Sequence, residues 1–263
     1  MGFETIRPLF LGGINSNIQI SPFHVAPAFK ANEVVPDRAE FNSAGKYTSE
    51  KYIISQVKSN PEISKIMKEI NVPIVLNMEE LRELQSHHAT ETKNIAMNIA
   101  SNLPQSLKNQ VNLKSLQDAA YLHDLGKVLI PKEILNKPGK LTSDEENIMH
   151  KHSLLSYELL KNSDIDTRTL NLIKHHHQNP NHTGYPKVSD DFNADINLQI
   201  LTLADKYSAL IEKRPYKEPM TSKQALTIIY QDVKEGNIHP FVFNALVNAE
   251  NKAANKKSII ANS

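Results

Sequence analysis

Tyr121-Leu-His-Asp-Leu-Gly-Lys127, running on through Val128-Leu-Ile-Pro-Lys-Glu-Ile-Leu135, is the stretch that decides the fold of this chain. A His and an Asp stand side by side among apolar residues that belong in a core, and a Lys follows three residues after the Asp. His123 offers an imidazole nitrogen to a divalent metal. Asp124 offers two oxygens, enough to bridge a pair of ions, and Gly126 lets the backbone leave a helix directly afterwards. Alone, a His-Asp pair is a weak signal, because any buried His can use a carboxylate to fix its tautomer. Its weight comes from the rest of the chain.

Outward from this stretch the pattern is helical. A helix from about Leu113 to Asp124 carries Leu116, Ala119 and Ala120 beside His123. Upstream, Asn60-Pro61-Glu62 starts a helix through Ile70, and Asn77-Met-Glu-Glu80 opens a long one with Leu81, Leu84, Ile95 and Ile99 on its apolar face. His88 falls on that stripe, and His87 lies a step round it. Downstream, Pro131–Leu135 reads as one turn of helix. Thr142-Ser-Asp-Glu145 is a capping box for a helix to about Leu160 that carries His150 and His152. Asp166 or Thr167 caps the next, which ends in His175-His-His177. A polar loop, Gln178 to Asp195, contains Gly184-Tyr185-Pro186. Asp205 then sits on the strongly apolar helix Ile196–Ile211, Thr221 caps a helix to about Lys234, and Pro240 opens the last, to about Lys256. With no strand pattern or internal repeat, the fold class is all-α, a helical bundle.

Composition narrows the function. The 263 residues hold 30 Lys and Arg against 29 Asp and Glu, a net charge of +1, which argues against coating long nucleic acids or acidic membranes. There are no cysteines, so a metal must be held by carboxylates and by some of the 11 His. Residues 1–45, punctuated by Pro and Gly, read as a loosely ordered tail without signal peptide or membrane span, and the expected compartment is the cytoplasm. Residues 46–76 form a short helical lead-in, 77–256 the functional domain and 257–263 a frayed end. No regulatory domain is expected.

His88, His123, Asp124, His152, His176, His177 and Asp205 lie on five predicted helices, mostly on inward faces. Singly, each has a plainer reading: a core histidine with a backbone partner, a carboxylate bonded to a neighbouring helix, a solvated cluster at a helix end. Together, seven such groups inside an apolar bundle all need partners, and a pair of metal ions satisfies them at once.

At this point the chain resembles the HD-GYP domain, the branch of the HD phosphohydrolase superfamily that hydrolyses cyclic di-GMP. The matching pieces are His123-Asp-Leu-Gly-Lys127, Ile130-Pro131, Leu135-Asn-Lys-Pro-Gly139 with Leu141, the His152 helix, His176-His177 ahead of Gly184-Tyr185-Pro186, Asp205, and Arg214-Pro-Tyr-Lys217. The same number of residues separates Asp124 from His152 and His177 from Asp205, and both gaps suit the family. The resemblance covers about Asn77 to Ala253. It implies an HD-domain bundle with a metal centre in its core, two ions (iron or manganese) bridged by Asp124. His88, His123 and Asp205 would hold one, and His152, His176 and His177 the other. It further implies in-line attack on a phosphodiester by a hydroxide bridging the ions, with Lys127 adding positive charge at the transition state. Arg214 and Lys217 would meet a substrate phosphate, and Tyr185 would stack on or bond to the nucleotide. A third ion in some members uses a Glu one turn before the first His. Here that position is Leu84, although Glu83 precedes His87 by the same spacing.

The chain also departs from the pattern. Where the family has His-His-Glu and then Asp-Gly before Gly-Tyr-Pro, it has Gln178, Asn181 and His182, and Ser153 and Ser156 replace a Pro and a Gly. Slower hydrolysis of cyclic di-GMP follows from this, with a gain expected from restoring Glu, Asp and Gly in the loop. Two alternatives stay open: another cyclic dinucleotide or a nucleotide as substrate, or a binding module that keeps the metal without turnover.

Overall fold

The computed structural model describes residues 45–213 and 218–261. Arg214, Lys217 and nearly all of the expected tail lie outside them. Among the described residues, twelve α-helices follow in order: α1 (Glu50–Ser59), α2 (Pro61–Glu69), α3 (Met78–Leu84), α4 (Thr90–Asn102), α5 (Gln105–Lys108), α6 (Leu113–Leu122), α7 (Lys132–Leu135), α8 (Ser143–Leu160), α9 (Thr167–His175), α10 (Ile196–Ile211), α11 (Ser222–Lys234) and α12 (Pro240–Ala261). Most begin where the sequence places a cap. Asn60, Asn112, Asp166 and Asp195 each accept a backbone N–H with the side chain, and Thr142 and Thr221 form complete capping boxes. Each such cap stabilises by about 1 kcal/mol.

The core runs through α4, which packs on α6, α10 and α12, while α9 lies against α6 and α8. Leu116, Leu122, Leu125, Leu129, Leu155, Ile173, Leu201 and Leu203 are essentially inaccessible to water. The lead-in joins this core, because Ile53, Ile63 and Met67 are buried and Asn60 donates to both the backbone and the carboxylate of Glu158 on α8.

Three helices differ from expectation. The long helix opened at Asn77 is interrupted by a π-helical turn, Gln85–Ala89, that carries His88. The helix before Asp124 ends at Leu122, and a 3₁₀ turn, Leu125–Leu129, follows. The last helix continues to Ala261, past the expected end near Lys256. Among the described residues, no strand forms beyond an isolated bridge between His177 and Tyr185, and no helix is long and apolar enough to cross a membrane.

Gly126 has a different reason from the one its place at a helix end implies. Its φ is not left-handed; instead, a Cβ there would lie 2.1 Å from the His152 carbonyl oxygen and 2.5 Å from the Ser156 nitrogen. The 3₁₀ turn touches α8 backbone to backbone, and this contact sets His123 and Asp124 beside His152. Ser156 makes use of it: its hydroxyl accepts from Gly126 N–H at 2.7 Å and lies 2.6 Å from the His123 carbonyl.

Candidate metal centre

All seven ligand-type residues converge. Side-chain atoms of His88, His123, Asp124 and Asp205 lie within 4.8 Å of one another, and those of His152, His176 and His177 form a second group of the same tightness. Asp124 stands between the groups. Its Oδ2 is 3.5 Å from His88 Nε2 and 3.3 Å from His123 Nε2, while its Oδ1 is 3.3 Å from His152 Nε2 and 3.9 Å from His176 Nε2. Asp205 approaches His88 Nε2 at 3.0 Å and His123 Nε2 at 3.5 Å. Lys127 Nζ reaches Asp124 Oδ2 at 2.6 Å. His87, by contrast, is exposed and pairs with Ser86, so His88 is the inward member of that pair.

Helix geometry aims the rings. Nδ1 of His123, His152 and His176 each donates to the carbonyl three residues earlier, of Ala120, Met149 and Ile173, at 2.9, 2.6 and 2.7 Å. A carbonyl only accepts, so the proton sits on Nδ1, and Nε2, turned to the centre, is a bare lone pair in the neutral ring. His152 Nε2 nevertheless lies 3.2 Å from His176 Nε2, and both of these rings carry the proton on Nδ1. Lone pairs that close repel unless an electrophile is shared between them. Asp124 Oδ1 is likewise buried with no hydrogen bond among the described residues. These features, with nitrogen and carboxylate donors and no thiolate, fit a divalent cation.

Charge is unevenly shared. Burial works against the charged form of His123, but Asp124 and Asp205 outweigh it and raise its pKa to about 10. Burial likewise opposes a charged His88, which is nonetheless raised by Asp205 and Glu212. On the other side burial dominates, holding His152 at about 3 and His177 at about 4. Burial would raise Asp124, yet His123 and Lys127 keep it well below the usual carboxylate range.

The pH dependence of the metal-free protein follows. His123, raised in the folded state, stabilises fully below about 6.5 and loses that contribution as the pH climbs through about 10. His152 and His177, lowered when folded, cost stability as the pH falls from about 6.5 toward 3 to 4. Thermal unfolding of chelator-treated protein should therefore show its highest midpoint near neutral pH and a falling one toward pH 10. Proton displacement from His123 should make manganese bind more tightly over the same rise. A midpoint that climbs from pH 7 to 10 contradicts this assignment.

Two residues at the site escaped the sequence reading. Glu212 Oε2 lies 3.1 Å from His88 Nδ1, and Ser208 Oγ lies 3.3 Å from the same atom. These side chains orient His88 as the backbone carbonyls orient His123, His152 and His176. The signal was present: Asp205, Ser208 and Glu212 fall at i, i+3 and i+7, on one face of α10 and its cap.

The loop gives its departures from the family pattern a structural role. Gln178 is buried, and its side chain faces away from the histidines: Nε2 donates to the Pro186 carbonyl at 2.6 Å and Oε1 accepts from Asn179 N–H. Asn181 Nδ2 donates to the Glu235 carbonyl at 2.7 Å. A carboxylate cannot make either donation. Only His182 keeps a glycine-like conformation, with φ 57°, and its Nε2 lies 2.9 Å from the Phe192 carbonyl. Gln178→Glu should therefore destabilise, by about 1–3 kcal/mol, because a carboxylate oxygen would face the Pro186 carbonyl in a buried place. Thermal melting checks this, and an unchanged or raised midpoint would contradict it.

Tyr185 is half-buried, with its ring 4.5 Å from that of His177 and stacked at 3.7 Å on His150.

Comparison with known proteins agrees with this geometry. Residues 74–240 match the family model described as HD domain. A cyclic di-GMP phosphodiesterase response regulator of Xanthomonas campestris is 38% identical over 125 residues, 46% of this chain and 33% of that protein. A 3'3'-cGAMP-specific phosphodiesterase of Vibrio cholerae is 39% identical over 113 residues, 41% of this chain and 21% of that protein. The chain spans well under half the length of the curated relatives it matches. Among solved structures, an HDG"Y"P protein from Bdellovibrio bacteriovorus superposes with a TM-score of 0.50 at 18% identity, over 78% of this chain and 60% of that one, and so shares the fold. With its matched segment holding every side chain of the centre, the chain belongs to the HD domain family.

Proposed function

We propose that the chain is a two-ion phosphodiesterase acting on cyclic di-GMP, and that the ions are iron or manganese. The observation that carries the reading is the division of Asp124, one oxygen toward the His152 group and the other toward the His88 group. Bound there, two divalent ions acidify water and offset charge on the phosphoryl oxygens. The chain's own residues do the rest. Asp124 would contribute to holding both ions, with His88, His123 and Asp205 holding one and His152, His176 and His177 the other. Lys127, anchored on Asp124, adds a fixed positive charge beside the reacting phosphate. Arg214 and Lys217 suit the second phosphate of a cyclic dinucleotide, Arg by its two-pronged donors and Lys as a point charge.

A second reading, another cyclic dinucleotide, draws on the relative named for 3'3'-cGAMP. The two separate in a competition assay with manganese supplied. We expect kcat/KM for cyclic di-GMP to exceed that for 3'3'-cGAMP by about tenfold or more, the scale of one well-placed polar contact to the differing base. The reverse preference would hand the assignment to the second reading.

A further inference from the structure

Six of the seven residues of the centre are fixed by obvious means: four are buried, Asp205 nearly so on α10, and His88 is held by Glu212. His177 is the exception. It lies beyond the end of α9, where no helical carbonyl receives its Nδ1, and that atom's nearest carboxylate, Asp205 Oδ2, is 4.0 Å away. Its side chain is also the most accessible of the set, at 26% against 13% for Asp205. Yet the site needs its Nε2 beside that of His152.

What holds it is a clamp of three parts. Gly184 presses its backbone onto His177 so closely that a Cβ would lie 1.9 Å from the His177 carbonyl oxygen. The next residue donates its backbone N–H to that same oxygen at 3.3 Å. The Tyr185 ring then lies over the His177 imidazole at 31°, and His150 backs Tyr185, nearly parallel at 17°. His150 stands two residues before His152 on α8, so one helix supplies both a ligand and the outer jaw. Neither ring of the outer pair is needed to fill the ligand set.

We infer that His150 is a positioning residue, which through Tyr185 fixes the ring plane of His177 and so sets the affinity of the His152–His176–His177 site. The inference rests on the two-ion reading but not on the substrate. The role belongs to the flat ring rather than to its nitrogens, so His150→Phe should replace it and His150→Ala should not.

The test is manganese titration of the chelator-stripped full chain, with thermal unfolding of the stripped protein alongside. His150→Ala should weaken one of two manganese sites by about tenfold, the lower end of what outer partners of metal-binding histidines contribute. His150→Phe should bind like the unaltered chain, Tyr185→Phe likewise, and Tyr185→Leu should behave like His150→Ala. The second site and the unfolding midpoint of the stripped protein should not move. The inference is overturned if His150→Ala leaves both sites unchanged, if His150→Phe is as weak as His150→Ala, or if both sites weaken along with a lowered midpoint. Fewer than two manganese sites in the unaltered chain would instead sink the two-ion reading, and the clamp with it.

Discussion

Asp124→Ala is expected to lose most of the bound metal and to lower hydrolysis of cyclic di-GMP by at least about 10³-fold. The rate figure corresponds to the several kcal/mol that a metal centre contributes to phosphoryl chemistry. The reason is geometric: Asp124 Oδ2 lies within 3.5 Å of His88 and His123 Nε2, and its Oδ1 lies within 3.9 Å of His152 and His176 Nε2. Without it each group keeps three ligands, but the two ions are left unbridged and their mutual repulsion unscreened. Asp124→Asn separates charge from shape, since the amide fills the same space and removes the negative charge. It should lose metal nearly as completely. Metal analysis of both variants, with circular dichroism to establish that the helical fold persists, is the check. Metal content equal to that of the unaltered chain would contradict the bridging role.

Lys127→Ala should behave in the opposite way, keeping metal and losing turnover by about 10²-fold, the loss typical of removing one fixed positive contact at a developing charge. Lys127 Nζ sits 2.6 Å from Asp124 Oδ2 and is not itself a ligand. Its side chain is 17% exposed, so its charge is only partly screened by solvent. Lys127→Arg keeps the charge but not the compact shape, and should recover part of the rate. A near-normal kcat for Lys127→Ala, measured on protein with full metal content, would remove Lys127 from the catalytic machinery.

Much of this was legible beforehand because its physics is local. Helix starts follow from caps that satisfy backbone donors within four residues, as at Thr142, Asp166 and Thr221. His88, His123 and His152 could be placed inward because helical periodicity puts them on apolar stripes. What escaped depended on tertiary contact. Gly126 looked like a helix-breaking residue, whereas its need comes from the His152 carbonyl on another helix. Gln178 looked like a lost carboxylate until its partner, the Pro186 carbonyl across the loop, showed that an amide is required. Glu212 lies beyond the helix that announces Asp205, and only the packing of α10 against the π-helical turn brings it to His88. The turn itself has no sequence signal we can name.

The two-ion account is tested most directly by counting ions and following cyclic di-GMP in one sample. The full chain, purified without oxygen and loaded with iron or with manganese, is assayed for bound metal and for opening of the cyclic dinucleotide on the same preparation. The account predicts close to two ions per chain and conversion of cyclic di-GMP to a linear product, both lost together in Asp124→Ala. Two ions per chain with cyclic di-GMP bound but left intact would contradict it and make the chain a metal-containing receptor.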